Sequence, residues 1–304
     1  MKVGDTSTSV FARLLASDGA AIRTGPFVFR VTSHLPSIAA PFQQLYHDFP
    51  LIEPDLVDFH LMLRPTGRLA RFTDRCEVMI DARRVLSVFK SPAALPHLEW
   101  ALNWWIYNYA HQFFILHAAV AERDGAAILL CGPPGSGKST VCAALVTRGW
   151  RLLSDEVALV CPDTLKLSAT ARPISLKNES IEVIGRFTPG VVFGPRDAET
   201  HKGTVVHMAP PEDSVQRIDA EARPRWILFP DYAPDAKTRL TPIPKARAFL
   251  RTANNAFNYQ ILGAQAFRAL AATIDRCGCF DLAYADLTDA LRVIEGLRQD
   301  AQRA

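Results

Sequence analysis

Apolar and polar residues alternate along the first third of the chain. Apolar side chains occupy every second position from Phe27 to Val31 and from Phe59 to Leu63, and a third apolar run spans Cys76 to Ile80. A period of two places successive side chains on opposite faces, so these runs predict strands with one exposed face. With a short helix predicted at residues 37–47, residues 1–92 form a predicted α+β module with several antiparallel strands. Nothing in it indicates a chemistry, and we expect a docking or oligomerisation module.

Helical spacing replaces this alternation after residue 92. Apolar residues recur at intervals of three and four, namely Leu98, Leu102, Trp105, Ile106, Tyr109, Phe113 and Leu116. This spacing predicts a helix with a broad apolar face. The run approaches the length of a membrane span, but Glu99, His111 and several amides make a bilayer unfavourable for it. We therefore expect a buried helix that packs on the following domain, and no membrane partner.

Residues 93–304 are organised around one glycine-rich stretch. Ile128 to Cys131 predicts a buried strand, and Ser139 to Arg148 predicts a helix that ends at Gly149. The residues that join them are Gly132, Pro133, Pro134, Gly135, Ser136, Gly137, Lys138, Ser139 and Thr140. In this pattern backbone N–H groups and the lysine hold phosphates, the hydroxyl of Ser139 ligates Mg²⁺, and the helix N-terminus favours the anion. The stretch therefore predicts a site for ATP and Mg²⁺.

Two adjacent carboxylates follow the predicted loop helix. Asp155 and Glu156 interrupt the apolar residues of a strand predicted over residues 151–160. A carboxylate beside a phosphate loop can hold the metal or take the proton from an attacking hydroxyl, and two neighbours can divide these roles. The alternative is a polar strand edge without a function.

Composition changes this interpretation little. The 304 residues contain 34 basic and 31 acidic side chains, a balance that gives no electrostatic argument for a nucleic-acid partner. The six cysteines lie mostly in apolar runs and show no repeated Cys-x-x-Cys spacing, which is typical of reduced core residues. The N-terminus lacks the apolar run of a secretory signal, so we expect a cytoplasmic protein.

The block from His117 to Glu156 resembles the HPr kinase/phosphorylase group of bacterial serine kinases. The resemblance rests on His117-Ala-Ala, the glycine loop, Gly149-Trp-Arg-Leu and Ser154-Asp155-Glu156. The whole chain is more similar still to the offshoot called HprK-related kinase A, through Trp100-Ala-Leu-Asn-Trp-Trp and the residues from Ala171 to Asn178. Kinases that modify lasso peptide precursors are related to the same group of proteins.

This resemblance implies an α/β P-loop kinase of the HPr kinase/PEP carboxykinase type, with a mixed sheet. It implies transfer from Mg-ATP to a serine of a protein or peptide, and a homo-oligomer. It assigns Asp155 as the base, places Glu156 beside the metal, and puts His117 near the phosphates. The sequence departs from the family in having Glu at the second acidic position. The family's Glu-Ile-Arg-Gly segment is replaced by Ser175-Leu-Lys177-Asn178.

Basic residues beyond the acids are further candidates for contact with phosphate or substrate. Arg172 and Lys177 flank a predicted strand and could stabilise a transferring phosphoryl group, although a solvated basic surface is an equal explanation. Residues 187–203 predict a loop that closes over substrate, with Arg196 or Lys202 as phosphate contacts. Arg247 and Arg251, four residues apart on a predicted helix, could approach a nucleotide or an acidic peptide, and a solvated face is the commoner alternative.

Two other functions use the same loop. A kinase for a small molecule could share the loop and the base. A nucleotide-dependent switch or assembly ATPase would need a water-positioning residue and an arginine finger, and the sequence indicates neither.

Overall fold

The computed structural model describes residues 1–67, 74–200 and 203–303. The chain divides into two compact units that alternate along the sequence. The first unit comprises Met1–Ala110, Thr170–Gly185 and Pro189–Asp219, and the second comprises His111–Ala169, Arg186–Thr188 and Ala220–Ala304. The predicted boundary after residue 92 is not a boundary of these units, because Thr170–Gly185 and Pro189–Asp219 cluster with the N-terminal residues.

Helices and strands alternate along much of the chain. The helices are α1 (Thr8–Ala16), α2 (Ala39–Leu45), α3 (Ala94–Tyr109), α4 (Lys138–Val146), α5 (Glu179–Phe187), α6 (Glu212–Gln216), α7 (Lys245–Ala253), α8 (Tyr259–Leu262), α9 (Ala264–Arg276) and α10 (Leu287–Arg303). The strands are β1 (Ala20–Thr24), β2 (Phe27–Ser33), β3 (Leu51–Ile52), β4 (Phe59–Pro65), β5 (Arg75–Ile80), β6 (Arg83–Arg84), β7 (Phe89–Lys90), β8 (Phe114–Leu116), β9 (Ala118–Arg123), β10 (Ala126–Cys131), β11 (Arg151–Ser154), β12 (Ala158–Val160), β13 (Leu167–Ser168), β14 (Ile174–Lys177), β15 (Asp197–Thr200), β16 (Gly203–Met208), β17 (Arg223–Tyr232), β18 (Arg239–Pro242) and β19 (Gly278–Tyr284).

The first unit is built on a mixed sheet with the strand order β3-β1-β2-β4-β5-β6, and β7 pairs with β5. Strands β2 and β4 are parallel, whereas the sequence predicted antiparallel strands. Their alternating apolar side chains are buried as expected, and the rings of Phe29 and Phe59 stack across the pair at 5.8 Å. A second sheet of this unit has the order β14-β16-β15. Strand β15 lies in the segment 187–203, which was predicted to be an irregular loop.

Helix α3 belongs to the first unit and packs against β4, β5 and β16. Strand β16 lies within residues 93–304, the predicted loop-containing domain, whereas β4 and β5 belong to the predicted N-terminal module. The Trp105 ring lies edge-on to Phe27 and stacks on Phe59, which holds the helix on the N-terminal sheet. The helix also ends earlier than predicted, at Tyr109, and the apolar residues from Phe114 to Leu116 form β8.

A buried polar cluster connects α3 to the segment after residue 169. The Glu99 carboxylate accepts hydrogen bonds from the Tyr46 hydroxyl at 2.5 Å and from Arg172 Nη1 at 2.9 Å. Arg172 also donates to the Asn103 side chain, and all four residues are buried. Burial raises the pKa of Tyr46, so its hydroxyl remains a proton donor to Glu99. The cluster satisfies groups that would be unfavourable alone in the interior.

The second unit is a mixed α/β structure, as expected from the sequence. Its main sheet has the order β11-β9-β10-β17-β19-β18, with β10, β17 and β19 mutually parallel and the other pairs antiparallel. A smaller sheet has the order β13-β12-β8. Helix α4 packs against β9 and α10. The parallel strands direct their carboxyl ends to one edge, where ligands commonly bind in open α/β sheets.

A buried ion pair joins two neighbouring strands of this sheet. Arg151 on β11 pairs with Glu122 on β9, and each side chain is only 1% exposed. Arg151 Nη1 also donates to the carbonyl oxygen of Ala220 at 2.7 Å. Glu122 Oε1 accepts from the Gly125 N–H at 2.5 Å, in the tight turn between β9 and β10. The pair therefore fixes both a strand contact and the turn that leads into β10.

Across the described ranges, no helix is both long enough and apolar enough to span a bilayer.

The six cysteines are free thiols, and five of them are buried. Burial raises the pKa of Cys131 and Cys277 to about 12, whereas hydrogen bonds from Thr164 lower the pKa of the partly exposed Cys161. The thiolate is the reactive form.

We therefore expect one thiol per native chain, that of Cys161, to react rapidly with DTNB at pH 7.5. Cys161→Ser should abolish the rapid phase and the matched variant Cys76→Ser should retain it; the opposite pattern would contradict this prediction.

Candidate functional site

The glycine loop connects the carboxyl end of β10 to the first turn of α4. Gly132, Gly135 and Gly137 have φ angles of +149°, +84° and +94°, which side-chain-bearing residues rarely adopt. Gly137 is the N-cap of α4, so no capping side chain competes with a ligand for the first helical N–H groups. A Cβ atom at Gly137 would also collide with the hydroxyl of Tyr284, at the end of β19. The position therefore requires glycine for two reasons.

Lys138 holds its ammonium group inside the loop. Its Nζ donates to the carbonyl oxygens of Gly132 at 2.6 Å and Pro133 at 3.0 Å, and the residue is buried. Pro133, Pro134 and Gly135 are exposed at the outside of the loop, and Ser136 is half-buried. Ser139 and Thr140 are half-buried in the first turn of α4. A positive charge and a helix N-terminus thus meet at one place, an arrangement that favours an anion.

Asp155 and Glu156 lie in a bend between β11 and β12. The Ser154 hydroxyl accepts a hydrogen bond from the Val157 N–H at 3.1 Å, and this local bond interrupts the strand that was predicted to run from residue 151 to 160. Asp155 is 5% exposed and Glu156 is half-buried. The bend therefore shelters the Asp155 carboxylate more than that of its neighbour.

Strand pairing places this bend close to His117. Ser154 is opposite Val120, and Ala158 is opposite Leu116, so the register is the same on both sides of the bend. On the other side of β9, Ala118 pairs with Cys131, the residue before the glycine loop. His117 directly precedes β9, the strand that pairs with β10 before the loop and with β11 before the acidic bend.

The Asp155 carboxylate also acts electrostatically on the loop helix. Burial, and after it the negative charge of Asp155, raise the pKa of the Cys142 thiol. Cys142 is on α4, about one turn after Lys138. The structure thus brings together the predicted site residues of the second unit: the loop with Lys138, Ser139 and Thr140, the two carboxylates, and His117.

A cavity of about 460 Å³ opens beside the loop. His117, Gly132, Pro133 and Pro134 form one side, and the other side comprises Arg251, Asn254, Asn255, Ala256 and Phe257. The His117 N–H donates to the carbonyl oxygen of Asn255 at 2.6 Å, and its ring lies 5.4 Å from that of Phe257. Sequence reasoning missed residues 254–257. The one signal for them was the basic pair of Arg247 and Arg251 on the preceding helix.

The other basic candidates belong to the first unit. Arg172 lies in the buried cluster with Glu99, which gives it a structural role. Lys177 is half-buried at the end of β14, where its N–H donates to the Ser180 hydroxyl. Arg196 is exposed and pairs with Glu182 at 2.7 Å, and Lys202 lies outside the described residues. Contacts of Arg172 and Lys177 with phosphate or substrate stay predictions.

We expect Gly137→Ala to weaken nucleotide binding at least ~tenfold. The substitution imposes a left-handed conformation that costs an ordinary residue roughly 1–2 kcal/mol, and its methyl group collides with Tyr284. Gly149→Ala is a matched control, because Gly149 has a φ of +86° but open space around its Cβ position. Titration with a fluorescent ATP analogue should show near-normal affinity for Gly149→Ala. Equal affinities of Gly137→Ala and the wild type would contradict the role given to this glycine.

Comparison with known proteins gives two findings on relatedness. Residues 94–174 match the family model described as SynChlorMet cassette protein ScmC, which covers about a quarter of the chain. No curated protein matches. Among solved structures the chain is similar to the Hpr(Ser) kinase/phosphatase from Coxiella burnetii, with 13% sequence identity, a TM-score of 0.27, and coverage of 62% of this chain and 97% of that one. The family match includes the glycine loop, His117 and both carboxylates.

Proposed function

We propose that this chain is an ATP- and Mg²⁺-dependent kinase that transfers the γ-phosphoryl group to a hydroxyl, that of a serine in a protein or peptide. One observation carries the proposal: a single unit holds a buried lysine ammonium inside a glycine loop at a helix N-terminus, and a sheltered carboxylate follows β11, which β9 separates from β10 in the same sheet. Phosphoryl transfer requires anion binding and a group that accepts a proton from the attacking hydroxyl, and these elements supply both.

The glycine loop binds the phosphates in this proposal. Backbone N–H groups from Gly135 to Ser139 face the β-phosphate, and Lys138 exchanges its bonds with loop carbonyls for contacts to the β- and γ-phosphate oxygens. The glycine N-cap supports this role, because a side-chain cap would occupy the same N–H groups. His117, beside the start of the loop, contacts an oxygen of the transferring group.

Ser139 and Glu156 are the proposed ligands of Mg²⁺. Both offer the oxygen atoms that this ion prefers, and both are partly exposed, which suits an ion that keeps several waters. When bound there, Mg²⁺ would offset the negative charge of the transferring group.

Asp155 is the proposed base. Its carboxylate orients the serine hydroxyl and accepts its proton as the serine O–P bond forms. The bond between the γ-phosphorus and the β–γ bridging oxygen breaks in the same step, and ADP leaves with its phosphates held by the loop and Lys138. Its burial supports this role, since shelter from solvent limits the water that would compete with the serine hydroxyl as phosphoryl acceptor. The two adjacent acids thus have separate tasks because the bend exposes them to different degrees.

Transfer of radiolabel from γ-labelled ATP, with Mg²⁺, into a lysate of the source organism tests the proposal. Wild type should label a discrete protein or peptide, and Asp155→Asn should not. Asp163→Asn is a matched control, because this exposed aspartate lies in the turn after β12 and should leave labelling intact. Label confined to small molecules would indicate a metabolite kinase. Equal release of free phosphate by wild type and Asp155→Asn would contradict the assigned base.

A further inference from the structure

Helices α7, α8 and α9 expose large apolar side chains on the surface of the second unit. Leu250 is 65% exposed, Ile261 62% and Phe267 54%, one from each helix. Helix α9 contacts both α7 and α8, and the rings of Phe249 and Phe267 lie 5.3 Å apart across the α7–α9 contact. We call the exposed faces of residues 245–268 the basic–apolar surface. Clustered exposed side chains of this size commonly mark an interaction site.

Its charge is of one sign. From Lys245 to Ile274 the sequence contains four basic residues and no acidic residue. Arg247 on α7 and Arg268 on α9 are exposed near the apolar side chains. Arg251 differs, because it is part-buried between the Phe229 ring and the Asp281 carboxylate. The complement of this surface therefore carries acidic and large apolar side chains together.

The basic–apolar surface runs directly into the cavity beside the glycine loop. Arg247, Leu250 and Asn254 recur at intervals of three and four, so they share one face of α7 and its end. Asn254 and Arg251 line the cavity, and so does Phe257, whose ring lies against His117. A chain that lies along this face would reach the cavity beside the loop.

We propose that the basic–apolar surface binds an acidic–apolar peptide segment of the phosphoryl acceptor and guides its serine into the cavity beside His117. This inference rests on the proposed kinase function and names the substrate class. Large apolar side chains of the segment contact Leu250, Ile261 and Phe267, while its carboxylates face Arg247 and Arg268. Such a division between apolar anchors and a charged rim is usual where peptides bind helical surfaces.

Fluorescence anisotropy with the full chain tests the docking separately from catalysis. The probes are three fluorescein-labelled pools of serine peptides: one rich in acidic and leucine or phenylalanine residues, one with lysine in place of the acidic residues, and one with glycine in place of the apolar residues. We expect the first pool to bind at least ~tenfold tighter than either of the others, and added salt to weaken it.

Two double variants address the two halves of the basic–apolar surface. Arg247→Glu with Arg268→Glu, and Leu250→Ser with Phe267→Ser, should each weaken binding of the acidic–apolar pool about tenfold or more. Leu56→Ser and Arg292→Glu are the matched controls, since both residues are exposed outside this surface, and they should change affinity less than about twofold. Circular dichroism verifies that each variant is folded.

Several results would overturn this inference. One is equal affinity of the wild-type chain for the acidic–apolar pool and the lysine pool. Another is that the two double variants bind the acidic–apolar pool as tightly as the control variants do. The inference would also be overturned if no peptide pool bound and the wild-type chain instead associated with itself or bound anionic phospholipid vesicles. In that case the Leu250→Ser/Phe267→Ser variant would lose the association or the vesicle binding. The labelling experiment keeps the two proposals apart. Failure of peptide binding in an enzyme that labels a lysate protein refutes the docking alone, and absence of any label refutes the kinase.

Discussion

Asp155→Asn is expected to lower kcat for phosphoryl transfer by about 10²–10⁴-fold, the usual contribution of a general base. Asparagine keeps the size and most of the hydrogen bonding of the side chain but cannot accept the proton. The affinity for Mg-ATP should change less than about threefold, because Lys138 and the loop bind the phosphates. Steady-state kinetics with the labelled acceptor and a separate ATP titration measure the two effects.

Two controls make this result specific. Asp163→Asn should retain activity, since the residue is exposed and away from the bend. Glu156→Gln should instead raise the Mg²⁺ concentration needed for half-maximal activity, because its oxygen is assigned to the metal. An Asp155→Asn enzyme that transfers phosphoryl groups at the wild-type rate would refute the base assignment.

Glu122→Gln is expected to reduce the free energy of unfolding by about 3–5 kcal/mol, the cost of removing one partner from a buried ion pair. The substitution keeps the volume of the side chain and leaves the guanidinium of Arg151 in the interior without this counter-charge. It also weakens the acceptor of the Gly125 N–H in the turn before β10. Urea denaturation followed by tryptophan fluorescence measures the change.

The double variant Glu122→Leu with Arg151→Met is the informative control. Replacement of both partners by apolar side chains removes the uncompensated charge, so the double variant should regain much of the stability lost by the single one. Asp289→Asn, which removes the exposed partner of Arg292, should change stability by less than ~1 kcal/mol. The single variants Glu122→Leu and Arg151→Met complete the comparison, and a loss in the double variant equal to the sum of their losses would show that the pair is not coupled.

Local sequence signals predicted the elements around the glycine loop well. The strand before it is β10, the helix after it is α4, and the predicted helix that carries Arg247 and Arg251 is α7. Each depends on side chains within one element or on the turn beside it. The bend at Asp155 was missed because apolar residues on both sides favour a continuous strand. At this bend the Ser154 hydroxyl accepts a hydrogen bond from the Val157 N–H, a local bond of the kind that competes with a strand ladder.

Long-range contacts account for the larger differences. No local signal indicates that Arg172 pairs with Glu99, 73 positions earlier, or that β2 pairs in parallel with β4. A basic residue beside a predicted strand has the same appearance whether it binds phosphate or a buried carboxylate. The cavity residues 254–257 were missed for the same reason, because backbone bonds to Ile115 and His117 place them there and no motif does.

The alternation of the two units along the chain has a consequence for how the protein is made. Thr170–Gly185 and Pro189–Asp219 complete the first unit, so a ribosome must release the chain as far as Asp219 before that unit can close. Until then Glu99 lacks its arginine partner and the surface of α3 that faces β16 stays uncovered. Nascent chains paused before residue 170 should therefore engage chaperones, and N-terminal fragments that end near residue 110 should be rapidly degraded in cells.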